Sequence, residues 1–135
     1  MLQAYNYRLC LTNDPANKIE ITKPGGYDAS MYELLLRYID VYKPKNVDDR
    51  VLNISMMPNH KTDINNNGPF STDFIGQNYS YPEASYEERE KIAERHKKYQ
   101  QGLMWTLAYH PRIPAKVRDA VSKWGTCKDE YESKD

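Results

Sequence analysis

Ten consecutive residues, Pro58 to Asn67 (PNHKTDINNN), limit the fold of this chain more than any other stretch. They hold one lysine, one histidine, one aspartate and four asparagines, with almost nothing apolar between them. Such a segment does not make a core. Asn and Asp side chains bond to nearby backbone and so favour turns. The sequence therefore predicts a surface loop here, delivered by an apolar strand over Val51 to Met57 and closed by Gly68-Pro69. The apolar density of that strand predicts a central place in its sheet. Scaffolds commonly carry function on loops, and this loop offers amides, a carboxylate and an ammonium to a polar ligand.

The flanking chain divides at its breakers. Gln3 to Thr12 alternates, with Tyr5, Tyr7, Leu9 and Leu11 on one face and Ala4, Asn6, Arg8 and Cys10 on the other. That is the period of a strand, and it projects Asn6 and Arg8 together. Asn13 to Asn17 reads as a turn and Lys18 to Thr22 as a second strand, so the two are expected to form a hairpin. A helix is predicted from Ala29 to Tyr42, opened by a Ser30/Glu33 capping box or by Asp28, and ended by Pro44. Its predicted buried stripe is Met31, Leu34, Leu35, Tyr38 and Tyr42. Gly68 to Pro82 has no helical period, and Phe70, Phe74, Ile75, Tyr79 and Tyr81 are expected to pin it to the body.

Ser85 and Glu88 make a second capping box, with acidic residues suited to a helix N-terminus. The stripe Ile92, His96, Tyr99, Leu103 and Leu107 predicts a helix to about Tyr109, stopped by Pro111. His96 in that stripe is an interior histidine rather than a ligand. A last helix follows from Ala115 to Trp124, with Pro114 at its start, Gly125 as its stop, and Val117, Val121 and Trp124 on its apolar face. The charged segment from Lys128 is expected to fray.

At 135 residues the length suits one domain. The hydrophobic fraction is 39% and the mean hydropathy is −0.89, values low for a core standing alone. They suit a piece that packs against more protein. Lys+Arg and Asp+Glu are both 19, so no general attraction to nucleic acid or anionic membrane follows. No apolar run approaches the roughly 20 residues of a membrane span. MLQAYNYR lacks the order of a secretory signal, so the expectation is that any such signal lies upstream. Cys10 and Cys127 lie far apart and form no CxxC. Ordinary thiols are favoured over a disulfide between them. Three histidines and two cysteines show no zinc spacing, which predicts no metal site. Twelve tyrosines stand against two phenylalanines, a bias that suits half-buried, interfacial and sugar-binding surfaces alike.

Five stretches in order carry a family resemblance: AYNYRLCLT, KTDINN, YPEASYEER, GLMWTLAYHPRIP and WGTCKDEY. Together they span Gln3 to about Tyr131 and resemble a family of bacterial FAD-dependent oxidoreductases, many of which carry the label "xanthan lyase". No constellation for abstracting a proton from a uronic acid appears, so the chain lends that label nothing. The resemblance is to the middle of those proteins, whose N-terminal βαβ unit carries G-x-G-x-x-G. This chain has no such fingerprint, and the pyrophosphate of FAD normally rests on that glycine turn.

The resemblance thus implies a fragment, residues 1–127 with a charged tail at 128–135, that forms the substrate-binding portion of a larger flavoprotein. FAD is expected in the full-length parent and not on this fragment, which alone would be inactive. Lys61 and Asp63 are the implied catalytic residues, and Asn6, Arg8, His60, Asn65 and Asn66 the implied substrate-binding ones. Side-chain chemistry gives the lysine charge stabilisation on a reduced ring, and a carboxylate or histidine the proton of a substrate hydroxyl. Hydride would leave a C–H bond of a sugar or another polyol. The expected partners are the missing FAD-binding domain and a small sugar, with self-association through exposed apolar surface as a further possibility. A non-catalytic carbohydrate- or protein-binding module is the alternative. The expected fold is α+β: a small mixed or antiparallel sheet of three to four strands with about three helices packed on it.

Overall fold

A computed structural model describes residues 2–130. Its fold is α+β, with three α-helices on one face of a five-stranded sheet in which every neighbouring pair is antiparallel. The strands are β1 (Cys10–Thr12), β2 (Lys18–Glu20), β3 (Leu52–Met56), β4 (Lys61–Asn66) and β5 (Gly125–Cys127). The helices are α1 (Glu33–Tyr42), α2 (Tyr86–Tyr109) and α3 (Ala115–Ser122). The sheet order is β2-β5-β1-β4-β3, one strand more than expected.

The KTDINN segment is a strand, not a loop. β4 lies between β1 and β3, pairing Asp63 with Cys10 on one side and with Ser55 on the other. Its burial alternates, with Thr62 and Ile64 buried and Asp63 and Asn65 exposed. Two apolar-side positions suffice when both neighbours supply ladder bonds, whatever the intrinsic preference of asparagine. The turn itself falls on Pro58, Asn59 and His60, where Asn59 and His60 take left-handed φ values of 62° and 57°. β3 is accordingly an edge strand and not the central one.

Three other expectations are corrected. β1 holds only the last three residues of the predicted Gln3–Thr12 strand, because residues 3–9 cross toward α2 and the 68–82 segment. Asn78 Nδ2, for example, donates to the Gln3 carbonyl at 2.8 Å. β1 and β2 form no hairpin, since β5 inserts between them and pairs with both. Gly125 therefore opens a strand rather than merely stopping a helix. A Cβ there would stand 2.2 Å from the Ile19 carbonyl, so only glycine fits.

α1 also turns differently from its predicted stripe. Asp28 caps a 3-10 turn over Ala29–Tyr32 by accepting from the Ser30 amide, and the α-helix starts after it. The tighter turn rotates the helix, so Tyr32, Leu35, Leu36 and Ile39 are buried. Of the expected stripe Leu35 is buried, but Met31 is 46% exposed, Leu34 71% and Tyr42 37%, so much of it faces out.

α2 follows its sequence signals closely. Ser85 Oγ accepts from the Glu88 amide while Glu88 Oε2 accepts from the Ser85 amide, the reciprocal capping box. Ile92, His96, Tyr99, Leu103 and Leu107 are all buried. Tyr32 lies against this helix where Gly102 leaves room, and its hydroxyl donates to the Tyr99 carbonyl at 2.8 Å. Phe74 stacks on Tyr99 with ring centroids 4.3 Å apart, and Phe70 packs nearby. Ile75 and Tyr79, by contrast, are exposed and pin nothing. Val117 and Val121 of α3 close the core. Among the described residues no helix is long and apolar enough to cross a membrane.

Candidate functional site

β4 distributes the implied site residues by its period of two. Lys61, Asp63 and Asn65 project from the sheet face opposite the helices, while Asn66 sits with Thr62 and Ile64 on the helix-facing side. Four steps along the strand, about 13 Å, separate Lys61 from Asn65. Side chains adjacent in a loop are thus split between faces and ends in the strand.

One group of them does converge. A surface hollow of about 430 Å³ is lined by Arg8, Cys10, Asn59, Lys61, Asp63 and Glu130, among others. Arg8 Nη1 donates to Asp63 Oδ1 at 2.9 Å, and both side chains are largely open to solvent. Lys61 Nζ lies 2.6 Å from Glu130 Oε1 and 3.0 Å from Asp129 Oδ2. Those hydrogen bonds, first to Glu130 and then to Asp129, raise the Lys61 pKa well above the ordinary lysine value. Lys61 is therefore held as a cation with two carboxylates around it. Asp129 responds in the opposite direction, held below the usual carboxylate range by Asn17 and then by Lys61.

The remaining implied residues lie elsewhere. His60 sits exposed on the hairpin turn, where its carbonyl accepts from Thr12 Oγ1 at 3.0 Å. Asn6 accepts from Gln100 Nε2 and lines a separate hollow of about 380 Å³ with Tyr5, Tyr81 and His96. Asn65 stands opposite Asn53 on the edge strand, and its Oδ1 accepts from the Asn66 amide at 3.0 Å. Asn66 Nδ2 reaches the Gly68 carbonyl at 3.5 Å.

Three sets of contacts escaped the sequence reading. Asp129 and Glu130 fall in the segment expected to fray, yet they hold Lys61, and the Lys128 amide donates to the Asn17 carbonyl at 2.8 Å. The other five residues of that expected tail lie outside the described residues. Gln100 ties the N-terminal segment to α2, donating also to the Thr72 carbonyl at 3.1 Å. Its position one step beyond Tyr99 on a buried helix face was the available signal. Cys10 and Cys127 meet across β1 and β5, a pairing that their sequence separation hides.

A family model described as FAD dependent oxidoreductase matches residues 1–133. The chain belongs to the FAD-dependent oxidoreductase family. No curated protein and no solved structure matches it. The family implies FAD in the parent protein, but the starts of α1 and α2 do not fit its pyrophosphate. A pyrophosphate needs open backbone N–H groups at a glycine turn and a helix N-terminus. In this family member the N-terminus of α2 is closed by its own capping box and carries Glu87 and Glu88, and α1 begins with Glu33. Among the described residues the sheet has no parallel βαβ unit. Three carboxylates at two helix starts repel the anion those sites would have to hold.

Proposed function

We propose that this chain is the substrate-binding portion of an FAD-dependent oxidoreductase acting on a sugar or another polyol, with the dinucleotide-binding part contributed by a further region of the parent. The observation that carries the reading is the hollow beside β4, in a chain matched to the family over residues 1–133. Its two ion pairs, Arg8 with Asp63 and Lys61 with Glu130, present donors and acceptors side by side. That arrangement suits neutral vicinal hydroxyls, each of which donates once and accepts twice. It suits a simple anion less, because every cation there already has a carboxylate.

Within this reading Asp63 is the acceptor for a substrate hydroxyl proton, and Lys61 supplies fixed positive charge next to it. Arg8 orients the ligand and releases part of its hold on Asp63 as the ligand binds. Asn65 extends the polar strip along the same face of β4 and His60 stands on the turn beside it, whereas Asn66 on the other face and Asn6 in its separate hollow take no part in it. The apolar side chains of Leu34 and Val41 left open on α1, and of Met31 on the 3-10 turn before it, support the view that more protein packs on this chain.

Isothermal titration with FAD, alongside a panel of mono- and oligosaccharides, tests the proposal. The expected result is no FAD binding and weak binding of at least one sugar, lost in Asp63→Asn. Stoichiometric FAD binding at micromolar affinity would overturn it. Binding of an oligosaccharide that persists in Asp63→Asn would favour a non-catalytic carbohydrate-binding module instead.

A further inference from the structure

The first and last strands of the chain, neighbours in the sheet, carry the two cysteines in direct register. Leu11 pairs with Thr126 and Thr12 with Gly125 across the antiparallel β1–β5 ladder, so the next step places Cys10 opposite Cys127. Directly opposed residues point their side chains to the same face. The two sulfurs are 2.8 Å apart, against about 2.05 Å for a disulfide bond. The residues are 117 apart in sequence, and no local constraint brings them together; the sheet does.

We propose that Cys10 and Cys127 are a redox pair that forms a cross-strand disulfide on exposure to a small-molecule disulfide oxidant, fastening β1 to β5. The two sulfurs differ in access. Cys127 is 5% exposed and Cys10 is half-buried; both line a groove of about 670 Å³, and Cys10 alone also borders the hollow beside β4. Burial first, then the hydrogen bond with Cys10, pushes the Cys127 thiol up to about 12. Cys10 is thus the entering nucleophile and Cys127 the resolving one.

The step balances without any other reactant. The Cys10 thiolate attacks one sulfur of the oxidant, forming a mixed disulfide and expelling one thiolate. Cys127 then loses its proton and attacks the Cys10 sulfur, forming the Cys10–Cys127 bond and expelling the second thiolate. Two protein thiols are oxidised by two electrons, and one disulfide is reduced to two thiols, which take up the two protons.

The test is native treatment with glutathione disulfide, read by intact mass and by a non-reducing peptide map. The wild-type chain should become lighter by two hydrogen atoms, lose both alkylatable thiols, and yield a peptide linking position 10 to position 127. Cys127→Ser should stop at a stable glutathione adduct on Cys10. Cys10→Ser should form its adduct at least about ten-fold more slowly, because a buried, scarcer thiolate attacks slowly. A wild-type chain that keeps two alkylatable thiols, takes up two glutathiones, or links between chains would overturn the proposal. The wild-type readout stands even if either variant folds poorly.

Discussion

α2 and β4 are built on opposite principles, and the contrast explains which parts of this chain declare themselves. The helix is specified from within: a reciprocal cap at Ser85 and Glu88, acidic residues in its first turn, and a buried stripe from Ile92 to Leu107 at three- and four-residue steps. β4 is specified from without. Its sequence, KTDINN, is rich in residues that strands avoid. It is a strand because Cys10–Thr12 lies on one side of it and Leu52–Met56 on the other. One of those neighbours is about fifty residues away in sequence, as the Arg8–Asp63 separation of 55 illustrates.

The largest test of that contrast is Leu107→Ala in α2. Leu107 is 1% exposed in the core, and truncation should cost about 2–5 kcal/mol, read by urea unfolding. A cost under about 1 kcal/mol would mean that the helical layer is not the main source of stability. Next is the cap. Ser85→Ala should cost about 1 kcal/mol by the same measurement. It has a pH counterpart, because hydrogen bonds from the Ser85 backbone and then its side chain lower the Glu88 pKa from its ordinary 4.5. A carboxyl depressed in the folded state stabilises fully above its unfolded value, and that stabilisation is lost as pH falls through the folded value. The thermal midpoint should therefore drop on acidification below about pH 4.5, and Glu88→Gln should flatten that part of the profile. An unchanged profile in the variant would remove the cap from the account of α2.

The smallest expected effect bears on β4. Asn65→Thr replaces a residue that strands avoid with one they favour at an exposed position. The stability should rise by about 0.5 kcal/mol or less. A loss above about 1 kcal/mol would mean that the bond from the Asn66 amide to Asn65 Oδ1 helps hold the strand, and β4 would then resemble α2 more than it contrasts with it.

What could be read from the sequence follows the same division. The α+β class, the position of α2 and its five buried stripe residues were all legible, because capping and helical periodicity are local. α1 was half legible. Its residues were found and Leu35 is buried as expected, but behind the 3-10 turn at Ala29–Tyr32 the buried face takes in Leu36 and Ile39 in place of Met31 and Leu34. The strand order was hidden, since nothing in WGTC signals that β5 will separate β1 from β2. For the same reason the site was legible in composition and not in arrangement. Arg8, Lys61 and Asp63 do meet, whereas Asn6 and Asn66 face other surroundings. Asp129 and Glu130, which set the charge of Lys61, carry no local signal at all.

The insertion of β5 also fixes the timing of assembly in the cell. A ribosome releases β1, β4 and β3 early enough to pair with one another while synthesis continues. β2 has β5 as its sheet neighbour, and β1 needs β5 to complete its second edge. Until residues 125–127 emerge, the nascent chain therefore displays one orphan strand and one open ladder. Unpaired strand edges are what chaperones shield and aggregates recruit. Completion of this sheet waits on β5 by topology, whatever the speed of its helices.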